Sequence, residues 1–289
     1  MATLKQIRQR IRTSKNIQQI TRAMKLVAAA RLTKAKNRVE EARPFSEKMR
    51  EFILSIGAAG ELPSHPLLDR RPVNRRAIVL VTADRGLAGA YNTNLLKAGQ
   101  AWIREQAEPV VMLAVGKKGA QFFRKRDYDV VFEHSVPTAG ATLEDAILLT
   151  EKLREMFESG EVDSVHLCYS KFYSPIRQEP QIVQLLPIEP PQSDEEDAAA
   201  LGGKDYLFEP GPKELLGLLL PKYLLTITYQ ALLESSASEH GARMTAMANA
   251  TDNAGKMISE LTLTANRARQ AAITTEILEI VAGAEALKA

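Results

Sequence analysis

Apolar residues recur with a helical spacing along the last quarter of the chain. Residues 222–287 contain no proline, and their only weak helix formers are three glycines, Gly241, Gly255 and Gly283. Spacings of four and three residues place a narrow, mostly alanine stripe on one side of such a helix: Ala254, Ile258, Leu261, Ala265, Ala268 and Ala272. This is the seam pattern of a coiled coil. A helix about 95 Å long exceeds an ordinary core, so we expect it to protrude or to pair with another long helix.

The N-terminal pattern predicts a second long helix over residues 3–55, with Thr3 as its N-cap and no proline before Pro44. Its first apolar residues share one face: Leu4, Ile7 and Ile11. The next ones lie on a different face: Ile17, Ile20, Met24 and Val27. The pattern therefore predicts a buried face that rotates, because the helix twists around a partner or changes partners.

Charge is distributed unevenly between this helix and the rest of the chain. Residues 1–39 contain 11 basic residues and no acidic one, whereas the whole chain carries a net charge of only +3. Three interpretations remain open: a solvated face on a core helix, a helix that binds nucleic acid or a membrane surface, and a helix paired with the C-terminal one.

Between the two helices, short apolar runs alternate with helical segments. After a loop at residues 57–75, the pattern predicts strands at 76–82, 109–115, 128–133, 163–170 and 181–188. The intervening helices are expected at 92–107, 116–126 and 142–159, the last with Thr142 as N-cap. This alternation predicts a small α/β layer with a largely parallel sheet. Residues 189–204, rich in proline, acidic residues and small residues, are expected to be a linker or an insertion.

The α/β segment carries none of the sequence motifs typical of catalysis. The loop at 84–92 follows the first strand, where such sheets bind ligands, but no dinucleotide, phosphate-loop or nucleophile-elbow motif is present. Gly86 and Gly89 are expected to serve a tight turn, and Cys168 is expected to be a buried, inert thiol. The four histidines lie at no metal-ligand spacing. We therefore expect no catalytic residue, cofactor or metal, and no apolar stretch long enough to span a membrane.

Four stretches closely resemble the gamma subunit of bacterial F-type ATP synthases. They are residues 20–31 (ITRAMKLVAAAR), 84–92 (DRGLAGAYN), 239–252 (EHGARMTAMANATD) and 268–284 (ARQAAITTEILEIVAGA). The last is the most specific, because it satisfies the family signature of Ile/Val-Thr-x-Glu, an acid three residues later, and then Gly-Ala. The stretches lie at both ends and in the centre, so the resemblance covers essentially the whole chain.

The resemblance implies an α/β fold in which the N- and C-terminal helices form a long antiparallel coiled coil, with a Rossmann-like α/β domain packed at its base. The implied parts are a helix at 1–56, the α/β domain at 74–190, a linker and foot segment at 191–211, and a helix at 212–289. Chloroplast relatives carry a cysteine-bearing insertion, which this chain lacks.

The implied function is that of a non-catalytic rotor. In the family, the coiled coil stands in a hexamer of three alpha and three beta subunits, and the foot sits with epsilon on the membrane c ring. Proton or sodium transport turns the shaft and drives ATP synthesis in the beta subunits. The resemblance thus implies a peripheral protein on the cytoplasmic face of the cell membrane, with no direct membrane insertion and no nucleic-acid partner.

The resemblance also implies contact residues. Beta-subunit contacts are implied for Met24, Arg269, Gln270 and Thr274, and an added positive charge at Met24 is expected to impair coupling. Foot contacts to the c ring are implied for Tyr206 and Glu209. The pattern itself shows that the apolar face turns away from the alanine seam near the C-terminus, which suggests an apolar bearing: Ile273, Ile277, Ile280 and Leu287.

Two other functions compete with that of a rotor. A coiled-coil protein that binds nucleic acid should carry stacking aromatic residues near its basic cluster, but residues 1–44 contain no Phe, Tyr or Trp. An α/β enzyme should carry at least one of the motifs that are missing.

Overall fold

The computed structural model describes residues 3–58, 65–137, 139–189 and 212–286. In chain order, the elements are α1 (Leu4–Ala58), a 3-10 turn (Pro66–Leu68), β1 (Arg76–Val81), α2 (Tyr91–Glu105), β2 (Val110–Val115), α3 (Lys117–Arg124), β3 (Val130–His134), α4 (Leu143–Glu158), β4 (Ser164–Ser174), β5 (Arg177–Leu186) and α5 (Pro212–Ala286). This mixed α/β architecture, with long helices at both ends, confirms the predicted fold class. The predicted linker and foot segment at 191–211 lie outside the described residues.

The chain forms two compact units. The helical unit consists of Met1–Val27 and Met244–Ala289, and the α/β unit consists of Ala28–Arg243. Both α1 and α5 contribute to each unit, since each is one continuous helix.

A hydrogen-bonded N-cap stabilises the start of α1. The Thr3 hydroxyl accepts a hydrogen bond from the backbone N–H of Gln6, and the Gln6 side chain accepts one from the Thr3 N–H. This reciprocal pair satisfies two donors that a helix start leaves open, so the predicted cap is confirmed. Neither Pro44 nor Pro221 ends its helix, and α5 begins at Pro212, well before residue 222.

In the helical unit, α1 and α5 run antiparallel. The Thr251 hydroxyl donates to the Thr21 hydroxyl over 2.8 Å, and the Ser14 hydroxyl lies 3.4 Å from the sulfur of Met257. The predicted α5 seam is buried or half-buried as far as Ala268. Ala272 is exposed, because this register places Leu4, the first residue of α1, near Ala268 and leaves nothing of α1 beyond it.

The predicted rotation of the buried face on α1 is wrong. The three- and four-residue spacing that begins at Leu4 continues with polar residues, and Ser14, Gln18 and Thr21 lie in the seam. Small or flexible side chains suit this place, since the Gln18 amide lies close to Gly255 of α5. The apolar residues of the second stripe are instead mostly exposed to solvent; Ile20 is 59% exposed.

In the α/β unit, the sheet has the order β3-β2-β1-β4-β5. The first four strands pair in parallel and β5 is antiparallel to β4, so the largely parallel sheet is confirmed. Strand β5 begins at Arg177, earlier than predicted. Strand β1 is buried on both faces, as expected of a parallel sheet covered by helices.

Alternate residues of β1 face two separate cores. Ala77, Val79 and Val81 belong to a core that also contains side chains of α4 and α5. Ile78 and Leu80 belong to a core with side chains of α2 and α3. The helix α5 is therefore part of the α/β domain before it continues into the helical unit.

Candidate functional site

The C-terminal part of α5 is a helix without a covering partner within the described chain. Every described side chain from residue 269 to residue 284 is exposed. Arg269 and Gln270 lie side by side at its start, and the Thr274 hydroxyl donates to the Gln270 carbonyl over 2.9 Å. That donor is therefore used within the helix, and the hydroxyl oxygen of Thr274 can still accept a hydrogen bond from a partner.

Met24 lies elsewhere in the helical unit. It is half-buried on α1, and the antiparallel register places it opposite the region of α5 near residue 248. At 1.5 Å per residue, this is about 30 Å along the helix from Arg269 and Gln270. The structure thus brings Arg269, Gln270 and Thr274 together and separates Met24 from them.

The proposed bearing residues form an exposed apolar surface. Ile273, Ile277 and Ile280 follow one another at helical spacing, and Ile280 is 70% exposed. Leu278 and Val281 are also exposed, so the apolar surface of this tip is broader than the sequence analysis suggested. Leu287, Tyr206 and Glu209 lie outside the described residues.

A second exposed apolar surface lies on α1, among its basic residues. Its residues Ile17, Ile20 and Val27 share one side of the helix, and Leu26, also exposed, lies on another side. Sequence analysis assigned three of these to a buried face, because periodicity shows which residues share a face and not what covers that face. Exposed apolar clusters of this kind commonly mark surfaces that bind other proteins.

In the α/β domain, a side chain of the chain's own helix α5 contacts the region where a parallel sheet commonly binds ligands. The strand order reverses between β1 and β4, and ligands commonly bind at the carboxyl ends of such a pair. Here the buried Arg243 of α5 donates to the Gly86 carbonyl, just beyond β1, over 3.3 Å. Arg243 also forms an ion pair with Glu239, at 2.7 Å.

The 84–92 loop is held by hydrogen bonds to its neighbours. The Asn92 side chain accepts from the Ala83 N–H at 2.9 Å, and the Asp84 carboxylate accepts from the Lys117 N–H at 2.9 Å. Gly89 has a φ of 55°, which confirms its predicted turn role. Gly86 lies in a bend of the same loop, where the neighbouring Leu87 adopts the left-handed conformation with a φ of 62°.

Burial shifts the pKa values of several titratable groups so that it favours their uncharged forms. Cys168 is buried, as predicted, and this burial raises the pKa of its thiol to about 12, which disfavours the reactive thiolate. Burial, helped by Arg243 and Arg31, lowers the pKa of His240 to about 4, and burial raises the pKa of Glu239 against the pull of Arg243. His134 lies 2.7 Å from Asp145, but no group of three or more potential metal ligands occurs among the residues that the structure describes.

The hydropathy of α5 differs from expectation. An 18-residue window of this helix has a mean hydropathy of 1.3, enough by length and composition to cross a membrane, and 33% of the window is buried. One such helix is weak evidence of a membrane span, because buried core helices pass the same test.

These features are typical of a subunit of a larger assembly: two long helices carry exposed apolar surfaces, and an α/β domain packs against one of those helices. The family model described as ATP synthase matches residues 3–287. The chain is 47% identical over 288 residues to the ATP synthase gamma chain of Moorella thermoacetica, covering 100% of both chains. It is 46% identical over 287 residues to that of Brevibacillus brevis, covering 98% of both.

Solved structures show the same fold. A chain of the Euglena gracilis mitochondrial ATP synthase, from a structure of OSCP, F1 and c-ring, matches with a TM-score of 0.70 and 20% identity, over 98% of this chain and 94% of that one. A chain of the Tetrahymena thermophila central stalk and c-ring matches with a TM-score of 0.60 and 24% identity, over 80% and 99%. The protein belongs to the gamma chain family of ATP synthases, which confirms the resemblance seen in its four sequence stretches.

Proposed function

We propose that this chain is the rotor of an F-type ATP synthase. It turns within a hexamer of three alpha and three beta subunits and couples ion flow through the membrane c ring to ATP synthesis or hydrolysis in the beta subunits. The observation that carries the proposal is the full-length relation to gamma chains, together with an α5 tip that the described chain leaves uncovered.

A rotor can drive a catalytic site only if it contacts the conformations of that site differently. The helical unit offers suitable asymmetry, because α1 and α5 expose different surfaces. The α1 surface combines the apolar residues Ile17 and Ile20 with many basic residues, whereas the α5 tip is largely apolar. Rotation would bring these surfaces to each beta subunit in turn.

The beta contacts are proposed at two levels of the shaft. Arg269, Gln270 and Thr274 would bind polar groups of the beta subunits at one level, and Met24 would face them at the other. The basic part of α1 would meet an acidic beta surface, since complementary charge steers such contacts. A lysine at Met24 would add a charge at a half-buried place, and we expect it to impair coupling more than assembly.

The apolar tip is proposed to turn in an apolar sleeve of the hexamer. Apolar contacts are non-directional, so they resist rotation little while they exclude water. Tyr206 and Glu209, which lie outside the described residues, would contact the c ring, next to epsilon. The assembled chain would then be a peripheral protein on the cytoplasmic face of the cell membrane.

Reconstitution tests this function. The chain is mixed with purified alpha and beta subunits from the same source, and the size of the complex and its MgATP hydrolysis are measured. We expect one copy of the chain per three alpha and three beta subunits, and hydrolysis by the complex. A chain that stays alone, or that by itself hydrolyses nucleotide or binds DNA, would contradict the proposal.

The same assay tests the polar contacts. Replacing Arg269 and Gln270 together with alanine should weaken assembly by about tenfold or more, because charged hydrogen bonds at an interface are lost. Thr262→Ala is the matched control, since the Thr262 hydroxyl is exposed and donates only to its own helix, to the Ile258 carbonyl.

A further inference from the structure

Strand β4 extends beyond its parallel neighbour. It pairs with β1 only from Ser164 to Cys168, so the structure describes no strand on that side of the residues that follow. On the other side, Ser170 lies opposite Pro180 of β5. Proline has no N–H to donate, and this pairing fits one in which both backbone groups of Ser170 point away from β5.

The helix α5 supplies the missing partners. The Ser170 N–H donates to the Ser235 hydroxyl over 3.3 Å, and the Ser238 hydroxyl donates to the Ser170 carbonyl over 3.0 Å. All three serines are buried. Ser235 and Ser238 lie one helical turn apart and on the same face, so two side chains of the helix hold both backbone groups of one strand residue.

The contact continues along α5 towards the end of the α/β unit. At Gly241, a Cβ atom would lie only 3.3 Å from the Cα of Pro175, so the helix and the β4–β5 turn approach closely. Arg243, the last residue of this unit, holds the Gly86 carbonyl and is itself held by Glu239. On the sheet side, these three α5 side chains, Ser235, Ser238 and Arg243, bind main-chain groups. A main-chain group cannot move away by a change of rotamer.

We propose that Ser235, Ser238 and Arg243 fix the rotation of α5 about its own axis against the sheet, and so carry torque between the α/β domain and the part of α5 beyond Arg243. This inference rests on the proposed rotor function. The leucines of α5 in the same domain make apolar contacts, which are non-directional and tolerate a small rotation of the helix. Hydrogen bonds weaken steeply when their geometry changes, so the polar set resists that rotation.

The first test measures amide hydrogen exchange at Ser170 in the isolated full-length chain. Ser235→Ala removes the acceptor of that amide, so its exchange should become faster by about tenfold or more. Ser238→Ala leaves the acceptor in place and should have a smaller effect. Thr226→Ala is the control, because the Thr226 hydroxyl donates to the Lys222 carbonyl within α5. Unchanged Ser170 exchange in Ser235→Ala would overturn the contact.

The second test measures torque transfer in the reconstituted membrane complex. The ratio of ATP-driven proton or sodium pumping to ATP hydrolysis is compared for wild type, the Ser235→Ala/Ser238→Ala variant and Thr226→Ala. We expect the serine variant to hydrolyse ATP but to lose at least half of its pumping ratio, and the control to keep it. Ser235→Thr combined with native Ser238 retains both hydroxyls and should restore the ratio.

The outcomes separate the two proposals. A wild-type chain that neither assembles nor pumps would overturn the rotor function itself. A working wild type whose serine variant shows faster Ser170 exchange but an unchanged pumping ratio would overturn the torque role alone.

Discussion

At the scale of single residues, a half-buried histidine makes the stability of the α/β domain depend on pH. His166 packs against Trp102, with ring centroids 4.6 Å apart, and its Nδ1 atom is buried without a hydrogen-bond partner in the described structure. Burial, with Arg76 as a second cause, lowers the pKa of His166 to about 4. An unfolded histidine binds its proton near pH 6.5, so the unfolded state gains protons first as the pH falls. This contribution to stability is therefore complete above about pH 6.5 and is lost between there and about pH 4.

We expect His166→Phe to reduce this pH dependence. The phenylalanine ring keeps the contact with Trp102 but cannot bind a proton. The urea midpoint of unfolding, followed by the fluorescence of the chain's one tryptophan, should fall less between pH 7 and pH 5 in the variant than in wild type. His240, whose pKa is lowered in the same direction, keeps part of the slope in both proteins. Equal slopes would contradict the role assigned to His166.

At the scale of elements, one helix serves three environments in succession. Near Leu220 and Leu232, α5 packs in the core of the α/β domain; from Ala254 to Ala268 it buries one stripe; beyond residue 269 it buries nothing within the described chain. Each change of environment matches a change in the sequence, from leucine to alanine and then to isoleucine. The exposed isoleucines are accordingly expected to matter for assembly and not for folding.

The variant Ile277→Asp/Ile280→Asp tests this separation. Both positions are exposed, so the unfolding free energy of the isolated chain should change by about 0.5 kcal/mol or less per site. Assembly with alpha and beta subunits should weaken by about 100-fold or more, because two apolar side chains no longer enter an apolar sleeve.

Ile176→Asp provides the matched control. This isoleucine is 84% exposed at the β4–β5 turn of the α/β domain, and its replacement should leave assembly with alpha and beta subunits unchanged. Equal assembly of the tip variant and this control would contradict the bearing.

The elements that the sequence predicted correctly depend on interactions between residues close together in the chain. The caps at Thr3 and Thr142 and the alternation of strands and helices depend on near neighbours, and all were predicted. The outward face of α1 was not, since Ile17 and Ile20 have the spacing of a buried stripe while Ser14 and Thr21 occupy the seam. A partner outside the chain that covers Ile17 and Ile20 would explain why these apolar residues are exposed here. The spacing of residues along the chain does not identify such a partner.

At the scale of the whole molecule, contacts distant in sequence determine how the α/β domain is used. The stretches at 84–92 and 239–252 were recognised separately, and the structure joins them through Arg243 and Gly86. The strand pattern placed the 84–92 loop where such sheets commonly bind ligands, and the tertiary structure shows that Arg243 of α5 contacts this loop at Gly86. The α/β domain thereby fixes the position of α5. Such a role suits a subunit that transmits force.

Observation of rotation tests the central proposal most directly. An Ile176→Cys variant gives a single reactive thiol for a bead, because the natural Cys168 is buried and its pKa is raised. The chain is assembled with alpha and beta subunits that are fixed to a surface, and MgATP is added. The rotor function requires the bead to turn in one direction in steps while ATP is consumed. Sustained hydrolysis by the same complexes with a bead that stays still would contradict it.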